Sequence, residues 1–284
     1  MIIVAMKFRF AAFAAALLLF LLFAIAPSTP ARADSQSQML RALAAKYKPS
    51  LVTLSLIVKI SSGGYEDQSE MEAEGVLLDS SGLVVTTNNA VDPMAAYADD
   101  SRGASLSSRV TSVKILTASG AELPAKVVLR DKDLNLAFIR PLQKPNVKLS
   151  GVPLKNGGVA QLGEPIYLLG RLGKTGNRSL EAKCERVVSV LEKPRRLYAL
   201  DPYNAIYVGN IAFNEKGQPL GILTLRFPIG KARNNDSTVP VVVPARDVLE
   251  LARQAPQARD VKDARPLKSS KSTPAAVKSA PKKP

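Results

Sequence analysis

Histidine is absent from all 284 residues, tryptophan is absent too, and Cys184 is the only cysteine. Each absence closes a class of chemistry. Without an imidazole there is no histidine general base and no histidine metal ligand. A single thiol permits no intrachain disulfide, so Cys184 reads as a small buried apolar residue in a strand. The acids are too scattered to replace these ligands; Asp99-Asp100, for instance, sit alone in a polar stretch. No metal or other cofactor is implied. Acidic side chains are also outnumbered, 24 against 39 basic ones, which leaves a net charge of +15. That balance favours anionic partners, such as envelope polymers or lipid headgroups, and specifies no nucleic acid.

Long hydrophobic runs are scarce as well. The one present, Phe10 to Ala26, follows Lys7 and Arg9 and is broken by Pro27 and Pro30; Ala31-Arg32-Ala33 then precedes Asp34. A basic start, an apolar core and a small-x-small end predict a secretory signal peptide over 1–33, cut after Ala33, and hence a periplasmic or secreted protein. An uncleaved anchor is the other reading, since the run approaches spanning length.

The remainder is strand-like. Asp34 to Lys48 has the spacing of a short amphipathic helix stopped by Pro49. Then come short Val, Ile and Leu runs separated by Gly, Asp, Asn and Ser clusters: Leu51–Ile60, Glu74–Asp79, Leu83–Thr87, Val113–Thr117, Lys126–Arg130 and Leu136–Arg140. After Pro145 a second set follows, Pro165–Gly170, Leu180–Leu191, Leu197–Leu200, Ala205–Phe213, Leu220–Arg226 and Val239–Val243. The pattern predicts an all-β fold of two antiparallel six-stranded barrels, one in 34–145 and one in 146–255. A helix over Pro244–Arg253 closes the second, and a polar excursion of about 18 residues, Asp92 to Arg109, interrupts the first. From Pro256 the chain is proline, alanine, serine and lysine, so 256–284 is expected to be a disordered basic tail.

The motifs carry a resemblance. Gly75-Val76-Leu77-Leu78-Asp79-Ser80-Ser81-Gly82-Leu83-Val84-Val85-Thr86-Thr87-Asn88-Asn89-Ala90-Val91-Asp92 is one such stretch, and Asp131-Lys132-Asp133-Leu134-Asn135-Leu136-Ala137-Phe138-Ile139-Arg140 is another. The third is Val208-Gly209-Asn210 followed by Phe213-Asn214-Glu215-Lys216-Gly217-Gln218-Pro219-Leu220-Gly221-Ile222, supported by Tyr167–Gly173 with Val187-Val188-Ser189. In this order and spacing, from about Leu40 to Arg253, they resemble the HtrA/Deg-type trypsin-like serine proteases, without the PDZ domain that usually follows.

The resemblance implies a chymotrypsin-like fold and assigns the triad positions. Asn89 falls on the general base, or Ala90 after a one-residue shift, Asn135 on the orienting carboxylate and Val208 on the nucleophile. None of these groups takes a proton from a hydroxyl or attacks a carbonyl, so no catalytic residue is assigned. Ile206 and Asn210 replace two glycines around the nucleophile. The expected function is that of a non-catalytic homologue binding an extended peptide or a partner protein on the old cleft. The receiving strand edge is expected at Gly221, Ile222, Leu223 and Thr224, with Tyr207 and Phe227 as pocket walls. Two other readings stay open: an envelope adaptor acting through its basic tail, and an active protease with atypical catalytic groups. Oligomeric state is also left open.

Overall fold

The computed structural model describes residues 35–94, 106–227 and 238–261. The expected leader, the middle of the expected excursion and residues 262–284 lie outside them. The chain divides into two units, 1–38 and 39–284. Of the first, only the opening turn of helix α1 (Ser35–Tyr47) is described. Both lobes of strands belong to the second unit.

In the first lobe, β1 (Leu51–Ser62), β2 (Tyr65–Leu77), β3 (Val84–Thr87), β4 (Leu106–Leu116), β5 (Glu122–Asp131) and β6 (Leu136–Pro141) close an antiparallel barrel in the order β1-β2-β3-β6-β5-β4. Alternation along the strands fills it: Leu54, Leu56 and Val58 of β1 point inward, against Val84, Ile115 and Ile139. β2 begins nine residues ahead of the expected start at Glu74. Its outer part is polar and half exposed, and it is a strand because β1 pairs with it residue by residue.

The second lobe holds β7 (Pro165–Arg171), β8 (Leu180–Arg186), β9 (Ser189–Leu191), β10 (Leu197–Ala199), β11 (Ile211–Phe213), β12 (Pro219–Arg226) and β13 (Val239–Pro244), in the order β8-β7-β11-β12-β13-β10-β9. It is a seven-stranded sheet rather than six strands closed by a ladder. The two ends of the order, β8 and β9, are halves of the single run 180–191, parted at Val187–Val188. One half pairs with β7 and the other with β10, so the sheet comes round through the chain itself.

Three further expectations are corrected. Ala205–Phe213 is not one strand: Pro202–Tyr207 is a 3-10 turn, with the Asp201 carboxylate accepting from Tyr203 N at 3.0 Å, and only Ile211–Phe213 is extended. Proline just inside a capped start favours the turn over the apolar run's strand tendency. The closing helix α3 is Ala245–Gln254; Pro244 lies before it, and Val248 and Ala252 are its buried face. Nor does order end at Pro256. Ala258 is buried, and Arg140 Nε donates to the Pro256 carbonyl at 3.0 Å, so the chain stays packed through Val261. Between the lobes, Tyr47 of α1 stacks on Phe213 with ring centroids 4.8 Å apart.

Candidate functional site

At the end of β3 the chain turns into a single helical turn, α2 (Asn88–Val91). Its position is set by the tight turn between β5 and β6. There Leu134 N donates to Asp131 Oδ1 at 2.8 Å, and Asn135 takes a left-handed conformation, φ 54°, which asparagine tolerates. Asn135 then holds α2 twice. Its carbonyl accepts from Asn88 N at 2.9 Å and its Oδ1 from Asn89 N at 3.1 Å. Arg130 Nε donates to Asn88 Oδ1 at 2.7 Å, and the Arg130 guanidinium pairs with Asp92. Asn135 also reaches the second lobe, donating through Nδ2 to the Leu225 carbonyl at 3.1 Å, while Thr224 Oγ1 donates to the Asn135 carbonyl at 3.0 Å.

Opposite α2, the 3-10 turn delivers Val208. Gly209 follows with φ 97°, a conformation that favours glycine, and its N–H donates to the Leu223 carbonyl at 2.8 Å. Between the two sides lies a cleft of about 330 Å³. Thr53, Glu72, Glu74, Thr86, Thr87, Asn89, Arg171, Gly173 and Val208 are among its walls. Larger hollows lie at Arg140, Lys144 and Arg259 and at Asp92, Ser108 and Arg130, and neither is lined by Asn89, Asn135 or Val208.

Glu74 is the residue that sequence reasoning missed. It crosses from β2 to the second lobe, where Oε2 accepts from Arg171 N at 3.0 Å. The Asn210 amide, turned with its nitrogen toward the carboxyl, donates to Oε1 at 3.3 Å and more closely to Oε2. Position 170 is glycine for this reason: a Cβ there would overlap Glu74 Oε2 and the Asn210 amide. Burial pushes the Glu74 carboxyl up to about 8; the Arg171 N–H works against that shift and the nearby Glu181 adds to it. The Arg171 guanidinium does not neutralise it directly, being spent on the carbonyls of Leu51, Arg178 and Lys48 at 2.8, 2.9 and 3.2 Å. Glu72 turns instead to Arg178. The only sequence signal for Glu74 was an acid directly before Gly75 at the head of an apolar run.

The structure brings Asn89 and Val208 onto the cleft and places Asn135 behind it. It does not bring the other expected residues there. Gly221, Ile222, Leu223 and Thr224 are buried inside the sheet, with β13 along one side and β11 or the Gly209–Asn210 backbone along the other, so they form no edge. Tyr207 lies under Lys183, whose Nζ is 4.2 Å from its ring centroid, and neither Tyr207 nor Phe227 lines the cleft. Its lining is mixed: the acids Glu72 and Glu74, Arg171, the threonines and Asn89 share it with the apolar Met71, Ala90, Leu172 and Val208.

Among known families, the trypsin-like peptidase domain matches residues 73–222, just over half of the chain. No curated protein matches it.

Proposed function

The chain belongs to the trypsin-like peptidase domain family, and from that premise we propose that it binds extended peptides or a partner protein in the interlobe cleft without cleaving them. The observation that carries this reading is the chemistry at the three triad positions the HtrA/Deg resemblance assigns. Asn89 and Val208 face the cleft with no base and no nucleophile between them, and Asn135 is committed to holding backbone. The chain holds no histidine to substitute from elsewhere. Removing triad members leaves at best the residual rate that binding and oxyanion contacts provide. The Gly209 N–H, beside the nucleophile position, is spent on Leu223, which supports the loss of an oxyanion site as well.

In this reading residues 1–33 direct export, so the protein meets its partners in the periplasm or outside the cell. The Asn89 amide offers hydrogen bonds to a peptide lying in the cleft, beside the apolar Met71, Leu172 and Val208. The tail favours a second role beside this one: beyond Pro256 there are eight lysines and arginines against Asp260 and Asp263, a composition suited to anionic envelope surfaces.

The test is labelling and turnover of the exported chain. No serine should react with a fluorophosphonate, and unfolded casein should survive prolonged incubation. Stoichiometric labelling of any serine would overturn the reading in favour of an atypical active protease.

A further inference from the structure

Among the described residues, the outer side of β2 is an unpaired sheet edge over most of its length. β1 and β2 pair without a bulge from Leu51↔Val76 to Ser62↔Tyr65, whereas β3 reaches only Val76 and Leu77. From Tyr65 to Glu74, β2 has no second strand among the described residues. In an antiparallel ladder, N–H and C=O groups turn alternately toward the partner and away from it. The Glu74 carbonyl accepts from Thr86 Oγ1 at 2.6 Å, on the side away from β1. Counting in twos from Glu74, the backbones of Glu72, Glu70, Gln68 and Glu66 face outward too. By the same period their side chains share one face of the strand.

That face is acidic in a chain of net charge +15. Glu66, Glu70 and Glu72 stand along the edge at alternate-residue spacings of about 6.8 Å or twice that. The cations nearby lie behind β2 or at its inner end. Lys59 is across the ladder from Gln68 and pairs with Glu66, Arg109 is one strand further back, and Arg178 meets Glu72. Glu72 Oε2 is nevertheless buried with no hydrogen-bond partner. An edge is guarded against indiscriminate pairing by being short or bulged, or by carrying charge, lysine above all, or proline. Charge of a single sign repels strands of its own sign and admits one of the opposite sign. β2 is 13 residues long, regular along this stretch and lined with carboxylates.

We propose that the outer edge of β2, from Glu66 to Glu72, is a docking strand for an extended partner peptide carrying lysine or arginine at every second position. The partner's backbone would complete the ladder, and its cations would stand opposite Glu66, Glu70 and Glu72. The inner end of this edge, Glu72, borders the cleft, whereas Glu66 to Glu70 lie beyond it, and a cleaving protease would present the edge equally.

A nine-residue peptide alternating lysine with threonine tests the proposal, against a control of the same composition with its lysines contiguous. Titrated into the full chain at low salt, the alternating peptide should bind about tenfold tighter, the combined effect of three cross-strand ion pairs. Gln68→Pro removes an outward N–H, which in the free chain donates to Asp67 Oδ1 at 2.8 Å and must pass to the partner on docking. Proline is tolerated there on an edge, and the change should abolish that preference. The double variant Glu66→Gln, Glu70→Gln keeps every backbone group and should also lose it, which covers any disturbance of the hairpin by proline. Val208→Trp fills the cleft and should leave the alternating peptide's affinity unchanged. Equal binding of the two peptides, full preference in the double variant, or loss of binding with Val208→Trp would each overturn the edge; the last would return the peptide to the cleft.

Discussion

Glu66 and Glu74 share one strand and one face, eight residues apart, and the fold treats them in opposite ways. Glu66 stands at the exposed end of β2 with Lys59 Nζ at 2.5 Å, and the hydrogen bond and charge of Lys59 hold its carboxyl below the usual range. Glu74 stands at the inner end against the second lobe, where burial raises its carboxyl to about 8. The same side chain is therefore a charged surface group at one end of the strand and a proton donor near neutral pH at the other. What separates them is access to water, because a carboxylate withdrawn from solvent needs a full positive charge, and Glu74 receives only amide N–H groups. The Asn210 amide suits either state: its nitrogen faces a carboxylate, and its oxygen would accept from the protonated acid.

The largest effect follows from removing that buried titration. In the unfolded chain Glu74 ionises near its ordinary value of 4.5, in the folded chain near 8. Between those values the folded protein binds the extra proton, so its stability falls as pH rises through the window and the loss is complete above it. Glu74→Gln keeps the shape and abolishes the proton linkage. Near pH 4 the variant should match the parent in stability, and above pH 8 it should be more stable, by on the order of 3–5 kcal/mol for a shift of this size. Urea unfolding from pH 4 to 9 checks this, and parallel stability curves would dissolve the contrast with Glu66.

Next in size is Gly170→Ala. The added methyl group falls on Glu74 Oε2 and the Asn210 amide, so these side chains must leave their seats or the lobes must part. Overpacking of this kind costs about 1–3 kcal/mol. Glu74→Ala in the same chain should restore part of that loss, since it removes one of the two overlaps and opens space into which the Asn210 amide can turn. A double-mutant cycle measures the coupling, and additivity of the two changes would place the strain elsewhere.

The difference between the two ends of β2 also explains what could be read from the sequence. Apolar strands such as Leu136–Pro141 and Val239–Pro244 announce themselves, because one pattern of valine, isoleucine and leucine serves both strand propensity and burial. The outer half of β2 does not, because its strand form comes from pairing with β1 and its side chains carry charge. Gly221–Thr224 is legible as a strand, but its place in the middle of the sheet depends on which strands flank it, which no local pattern contains. At the site, Asn89, Asn135 and Val208 could be found by position within motifs. Glu74 could not, because its environment is built by Gly170, Arg171 and Asn210, far along the chain, and only the fold brings them into contact with it. Gly209 lies within the Val208-Gly209-Asn210 motif, and its φ of 97° gives the reason for glycine there.

The smallest effect is the salt response of Glu66, and it sharpens the comparison most cleanly. Lys59 and Glu66 both expose a large part of their side chains, 41% and 58%, so their attraction passes through water and mobile ions. At 1 M salt the screening length shrinks to about 3 Å, against about 10 Å at 0.1 M. Following each carboxyl carbon by NMR titration, the midpoint of Glu66 should move up toward the ordinary carboxylate range as salt rises. That of Glu74 should stay near 8, since removal from water, unlike an exposed ion pair, is not screened by salt. Lys59→Gln should reproduce the high-salt value of Glu66 at low salt and leave Glu74 untouched. A Glu74 midpoint that followed salt as Glu66 does would mean that surface charge, rather than burial, sets both ends of the strand.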